Sequence, residues 1–160
     1  MEGVYMNNRH RQRAKLAGYT FTKKQIWNAD DTMAKFILAL LKEFKKSNRW
    51  GYPNRDEETN TPEKWEAILD RLIYTFDQLA HDYPDSPHNK AYIRMNQEHP
   101  NQWGFVMKES KDGCHRLEEK HSDIYDQYIT PEVKDKEKAY QEDLQEGLML
   151  FAKYFRDLWD

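Results

Sequence analysis

Cysteine is almost missing from this chain: of 160 residues, only Cys114 carries a thiol. One cysteine closes no internal disulfide and builds no cysteine-rich zinc site, so an intracellular setting is expected. Long apolar runs are missing too. None approaches the roughly 18 residues that span a bilayer, and no membrane partner is expected. The opening stretch MEGVYMNNRHRQRAKLAGY has no apolar segment of the kind a secretory signal uses. Valine is scarce, with only Val4, Val106 and Val133, and no alternating β-branched run of useful length occurs. That argues against a β architecture. Glycine-rich phosphate cradles and the Gly-x-Ser-x-Gly nucleophile motif are also absent. No cofactor and no serine or cysteine nucleophile is therefore implied, and a non-enzymatic protein is expected.

Charge and aromatic side chains are plentiful. Charged residues make up 33%, yet the net charge is only −3, and 5 Trp, 10 Tyr and 7 Phe are present. Disorder goes with few aromatics and a large net charge, so a small polar domain with an aromatic core is expected. The charge is unevenly spread. Residues 1–24 hold Arg9, Arg11, Arg13, Lys15, Lys23 and Lys24 against Glu2, a net +5, which leaves −8 for residues 25–160. A basic arm followed by an acidic helical domain is the division this implies. The arm is a solvated tail, a short helix that pairs with the acidic body, or a contact for nucleic acid or phosphate.

The periodicity predicts an all-α, single-domain bundle of about four main helices with an irregular middle. The first helix starts near Asn28-Ala-Asp30-Asp31-Thr32, with Met33, Phe36, Ile37, Leu40, Leu41 and Phe44 as its core face. The second opens at Thr61-Pro62-Glu63, with Trp65, Ile68, Leu69, Leu72, Ile73, Phe76, Leu79 and Ala80 on one side. Residues 88–113 predict one or two short helices and an ordered loop, and residues 114–128 predict a further helix. The last helix opens at Thr130-Pro131-Glu132 and carries Tyr140, Leu144, Leu148, Phe151, Phe155 and Leu158, with Trp159 expected to dock.

Metal chemistry finds only fragments. His81-Asp82 is a dipeptide used by helical phosphohydrolases, but it sits at a helix end without further ligands. Glu118-x-x-His121 has the spacing of half a di-iron site, and Asp112-x-x-His115 is a poor second half. Glu63-x-x-Glu66 with Glu109-x-x-Asp112 could hold Mg²⁺ only if distant segments met. The stronger pattern is aromatic and basic. Arg49, Trp50, Tyr52 and Arg55 form one cluster in a loop; Lys90, Tyr92, Arg94 and Trp103 form a second. Aromatic faces stack bases and arginine pairs with phosphate, so these eight residues are the candidate ligand site. A small nucleotide is the ligand such a site would take.

Trp27-Asn28-Ala-Asp30-Asp31-Thr32, then Glu66-Ala-Ile68-Leu69-Asp70 with Ile73-Tyr74-x-Phe76, and the closing Leu150-Phe151-Ala-Lys153-Tyr154-Phe155-Arg-Asp-Leu158-Trp159-Asp160 together resemble a family of small, all-helical tailed-phage proteins. Its members end in Leu-Phe-x-x-Tyr-Phe-x-x-Leu-Trp-Asp. The resemblance covers roughly residues 25–80 and 140–160. It implies a phage accessory protein acting in the bacterial cytoplasm, and it carries over no catalytic residue. Two functions then compete: sequestration of a small host signal such as a nucleotide, in a counter-defence role, and inhibition of a host enzyme by direct protein contact. A nucleic-acid role through residues 1–24 is a third, and a homodimer is compatible with each.

Overall fold

The computed structural model describes residues 14–16, 19–47, 51–100, 102, 104–109, 115–120 and 122–158. The chain is mainly helical, and it divides into two compact units that part between Ala80 and His81. In the first unit, short strands β1 (Ala14–Leu16) and β2 (Tyr19–Phe21) pair antiparallel, with Lys15 opposite Thr20. Helix α1 (Lys23–Trp27) follows. Thr22 and Gln25 cap it reciprocally: the Gln25 N–H donates to Thr22 Oγ1 at 3.3 Å, and the Thr22 N–H donates to Gln25 Oε1 at 2.8 Å.

Helix α2 (Ala29–Lys46) has Asp30 and Asp31 in its first turn and Lys45 and Lys46 in its last, the arrangement that complements the helix dipole. Helix α3 (Pro62–Ala80) starts where the Thr-Pro pair predicts, and Thr61 Oγ1 accepts from the Lys64 N–H at 3.3 Å. The two helices run antiparallel. Lys42 meets Asp77 at 3.1 Å, while Lys45, further along α2, meets the earlier residues Asp70 and Glu66. The buried face of α3 holds Trp65, Ile68, Leu69, Leu72, Phe76 and Ala80 together with Thr75 and Gln78, while Ile73 and Leu79 of the expected face are half-buried.

The burial of α2 departs from expectation. Ala34, Leu38 and Leu41 are buried, whereas Met33, Phe36 and Leu40 are each more than half exposed. The cause is the width of the apolar arc. From Phe36 round to Leu38 it covers roughly 200° at 3.6 residues per turn, about twice what a single flanking helix needs. α3 takes one side of that arc, and the other faces outward.

The second unit opens with a turn in which Asp82 and Tyr83 both take positive φ, 55° and 56°. Asn89 holds this turn, its side-chain amide donating to the carbonyls of Asp82 and Tyr83 at 2.9 and 3.3 Å. Helix α4 (Pro87–Glu98) is capped by Ser86, whose Oγ accepts from the Asn89 N–H at 3.0 Å. Helices α5 (Ser122–Tyr128) and α6 (Pro131–Tyr154), then a 3₁₀ turn over Phe155–Asp157, complete the unit. α4 packs against α5 and α6, and Met95, Ile129, Leu144 and Tyr154 are its buried apolar residues.

Between α4 and α5 lies a β-hairpin, not a helix. Strand β3 (Gly104–Glu109) pairs antiparallel with β4 (His115–Lys120), Met107 opposite Leu117 and Lys108 opposite Arg116. This corrects the helix predicted over residues 114–128, of which only the second half, α5, is helical. The mainly helical class expected from the sequence holds, and among the described residues two small antiparallel sheets accompany the helices. The ladder of β3 satisfies the β4 backbone groups that a helix would have satisfied internally.

Candidate functional site

The eight predicted site residues fall into both units. Arg49, Trp50 and Trp103 lie outside the described residues. Tyr52 and Arg55 are exposed on the loop between α2 and α3, in the first unit. That loop is built around buried Thr59. Its Oγ1 accepts from the N–H groups of Arg55 and Asp56 at 3.1 and 3.3 Å and donates to Asp56 Oδ1 at 2.9 Å. Asn54 turns the chain at φ 46°, a conformation asparagine tolerates. Arg55 is thereby carried on an ordered turn, with Tyr52 three residues before it in the chain.

Lys90, Tyr92 and Arg94 lie on α4, in the second unit. They do not share a face. Lys90 and Arg94 are one turn apart, and Tyr92, midway between them, points away from both. Both cations already hold an acid: Lys90 pairs with Asp85 at 2.8 Å, and Arg94 Nε donates to Glu98 at 2.8 Å. The Arg94 guanidinium also stands 5.7 Å from the centre of the Tyr128 ring, and the Tyr128 hydroxyl donates to Glu98. Hydrogen bonds from Arg94 and Tyr128 hold the Glu98 carboxyl below the ordinary range. The same bond to Glu98 raises the Tyr128 hydroxyl. Tyr92 stacks on His88 with centroids 6.2 Å apart, and a His88 ring nitrogen meets the Tyr125 hydroxyl at 3.1 Å. Both ion pairs are solvent-exposed, and exposed pairs are weak, so they compete only weakly with a phosphate.

The metal fragments fare no better. Glu118 and His115, the described member of each fragment, sit on strand β4 and not on a helix. His121 and Asp112 lie outside the described residues. Glu66 lies 3.6 Å from Lys45. Among the described residues no group of three His, Cys, Asp or Glu side chains is gathered to hold a metal ion. No described helix is long and apolar enough to cross a membrane.

The feature that sequence reasoning missed is the hairpin's apolar face. Residues opposite one another across an antiparallel ladder share a face. Phe105, Met107 and Leu117 therefore lie together, and they are 69%, 70% and 71% exposed. The other face carries Val106, Lys108, Arg116 and Glu118, with Lys108 and Glu118 ion-paired at 2.5 Å. The three large apolar residues thus share one face of the hairpin, which Glu109 and His115 share at the end where the strands connect. A signal for it was present: Asp112-Gly113 is a hairpin dipeptide, flanked by Phe105-x-Met107 on one side and Leu117 on the other.

No protein-family model, curated protein or solved structure matches this chain.

Proposed function

We propose that this chain is a non-enzymatic protein-interaction module whose docking surface is the apolar face of the β3–β4 hairpin. The observation that carries this reading is the exposure of Phe105, Met107 and Leu117 on a two-stranded ribbon. An isolated hairpin is marginal in water, and a face of three large apolar side chains gains nothing from solvent. Both facts are accounted for if the ribbon completes its packing against a partner. The partner is a folded host protein with an apolar groove. Because residues 25–160 carry −8, a basic rim on that groove would steer the encounter. The resemblance to tailed-phage proteins makes counter-defence in the bacterial cytoplasm the setting, with a host enzyme as the target.

The test is site-specific photo-cross-linking in bacterial cells. A photoreactive residue at Met107 or Leu117 is expected to give a defined adduct with one host protein. The same residue at Lys108 or Arg116, on the opposite face, is expected to give none. The triple variant F105S/M107S/L117S is expected to lose that partner while its thermal unfolding stays close to wild type, since exposed positions contribute about 0.5 kcal/mol or less. Equal adducts from both faces, or full partner binding by the triple variant, would sink the reading.

A second reading, sequestration of a small nucleotide, is favoured by one observation: Arg55 is presented on a turn already ordered by Thr59, with exposed Tyr52 three residues before it. A stacking contact is worth about 1–3 kcal/mol. If this loop binds nucleotides, Y52A/R55A should abolish the stabilisation that a nucleotide panel gives in thermal unfolding. If no nucleotide stabilises the wild-type chain, the reading fails.

A further inference from the structure

We infer that β4 is a self-association edge: it pairs antiparallel with β4 of a second copy, about a two-fold axis at Leu117, so that two hairpins join into one four-stranded sheet. The inference concerns the edge of the strand and not its apolar face, so it stands apart from host docking.

The argument starts from what borders β4. Among the described residues β3 is its only strand neighbour, and no described helix lies along it. The backbone groups of its other edge therefore have no strand partner among the described residues, and such an edge is a template for pairing with another chain. The side chains of His115, Arg116, Leu117 and Glu118 are all exposed.

Charge selects the occupant. Within the hairpin Arg116 stands directly opposite Lys108, and like charges so placed are unfavourable. Glu118, two residues on and on the same face, meets Lys108 diagonally at 2.5 Å. An acid across the other edge of β4 offsets the repulsion at Arg116, and a second β4 supplies one. With the axis at Leu117, Arg116 of each copy faces Glu118 of the other. Glu118 keeps Lys108 on one side and gains Arg116 on the other, because a carboxylate has two acceptor oxygens. The two Leu117 side chains meet across the axis. Each contact is thus returned, as an isologous interface requires.

Neighbouring registers fail. A slide of two residues sets Arg116 on Arg116 or Glu118 on Glu118. A slide of one turns the Leu117 side of one copy to the charged side of the other. Parallel pairing in register also sets like on like. The register centred on Leu117 keeps Phe105, Met107 and Leu117 of both copies on one side of the sheet. It also turns a marginal two-stranded ribbon into a sheet with enough strands to be stable on its own.

Sedimentation velocity on the full chain across a wide concentration range tests this. The wild type is expected to show a reversible monomer–dimer equilibrium. R116E and E118R are each expected to weaken it about tenfold, because each sets like charges opposite one another at two places. Mixing the two is expected to restore a heterodimer, since one copy then offers two acids and the other two arginines. The double variant R116E/E118R is expected to dimerise as the wild type does, with the pairs inverted. Circular dichroism checks that the fold persists in each variant. Arg116 lies on the face away from Phe105 and Met107, so host adducts from a photoreactive residue at Met107 are expected to persist in R116E, and the two readings fail separately. A wild type that stays monomeric at every concentration overturns the inference. So does a dimer indifferent to both single variants, or single variants that neither mixing nor the double variant restores.

Discussion

Trp65→Ala is expected to cost about 3–5 kcal/mol, which would leave about 2 kcal/mol or less if the stability lies near the lower end of the usual 5–15 kcal/mol. The indole is 2% exposed, on the face of α3 that also buries Leu69 and Leu72 completely. Its removal leaves a cavity that two helices held in register by Lys42–Asp77 and the Lys45 ion pairs cannot readily close. Trp27→Ala supplies the contrast. Trp27 is 87% exposed, and its loss should shift stability by about 0.5 kcal/mol or less. Urea unfolding followed by far-ultraviolet circular dichroism separates the two. Comparable destabilisation by both variants would mean that Trp27 is packed and that the placement of α1 is wrong.

The contrast between these tryptophans shows which parts of the fold were legible. Thr61-Pro62 and Thr130-Pro131 announced α3 and α6 because capping chemistry is local: a threonine oxygen takes up an amide three residues on, and proline gives up a donor the helix cannot use. Burial is not local. The apolar arc of α2 is wide enough to satisfy two neighbours, and periodicity alone cannot say which side α3 takes. Of the expected face, Met33, Phe36 and Leu40 are consequently exposed, Ile37 and Phe44 are half-buried and Leu41 is buried. The hairpin was lost for a related reason. His115-Arg-Leu-Glu-Glu-Lys120 is composed largely of good helix formers, and its strand partner lies beyond Gly113, so the pairing that decides its conformation is invisible to any short window. The candidate site was legible by residue type only. Lys90 and Arg94 lie on one side of α4 and Tyr92 on the other, an arrangement that residue type alone does not reveal.

Removing the Glu137 carboxylate is expected to produce the second large loss, about 2–4 kcal/mol, and to reshape the acid limb of stability. Glu137 of α6 receives three donors. Ser86 Oγ gives a hydrogen bond at 2.6 Å and the His88 N–H one at 3.1 Å, both to Oε2, while Gln141 Nε2 reaches Oε1 at 2.7 Å. Ser86 is buried, and the same hydroxyl caps α4. This carboxylate therefore fastens the start of α4 to α6. In Glu137→Ala the Ser86 hydroxyl and the His88 amide lose their acceptor in a site with little water, and each unsatisfied buried group costs about 1–3 kcal/mol. Ser86→Ala should cost less, about 1–2 kcal/mol, because it removes one donor and one cap but strands no charge.

The pH dependence follows from the same contacts. Burial by itself would raise the Glu137 carboxyl; the hydrogen bonds from Ser86, Gln141 and His88, together with the charge of His88, outweigh it and hold the group below the ordinary carboxylate value. A carboxyl that is more acidic folded than unfolded contributes stability above its unfolded value and loses it as pH falls through the folded one. Stability should therefore decline with acidification beginning near the ordinary glutamate range. In Glu137→Gln that part of the decline should be absent, with a lower plateau at neutral pH. Urea midpoints measured from neutral pH down through the carboxylate range decide the matter. Parallel acid limbs for wild type and Glu137→Gln would show that other carboxylates, Glu98 among them, carry the acid sensitivity and that the α4–α6 fastening does not depend on the charge of Glu137.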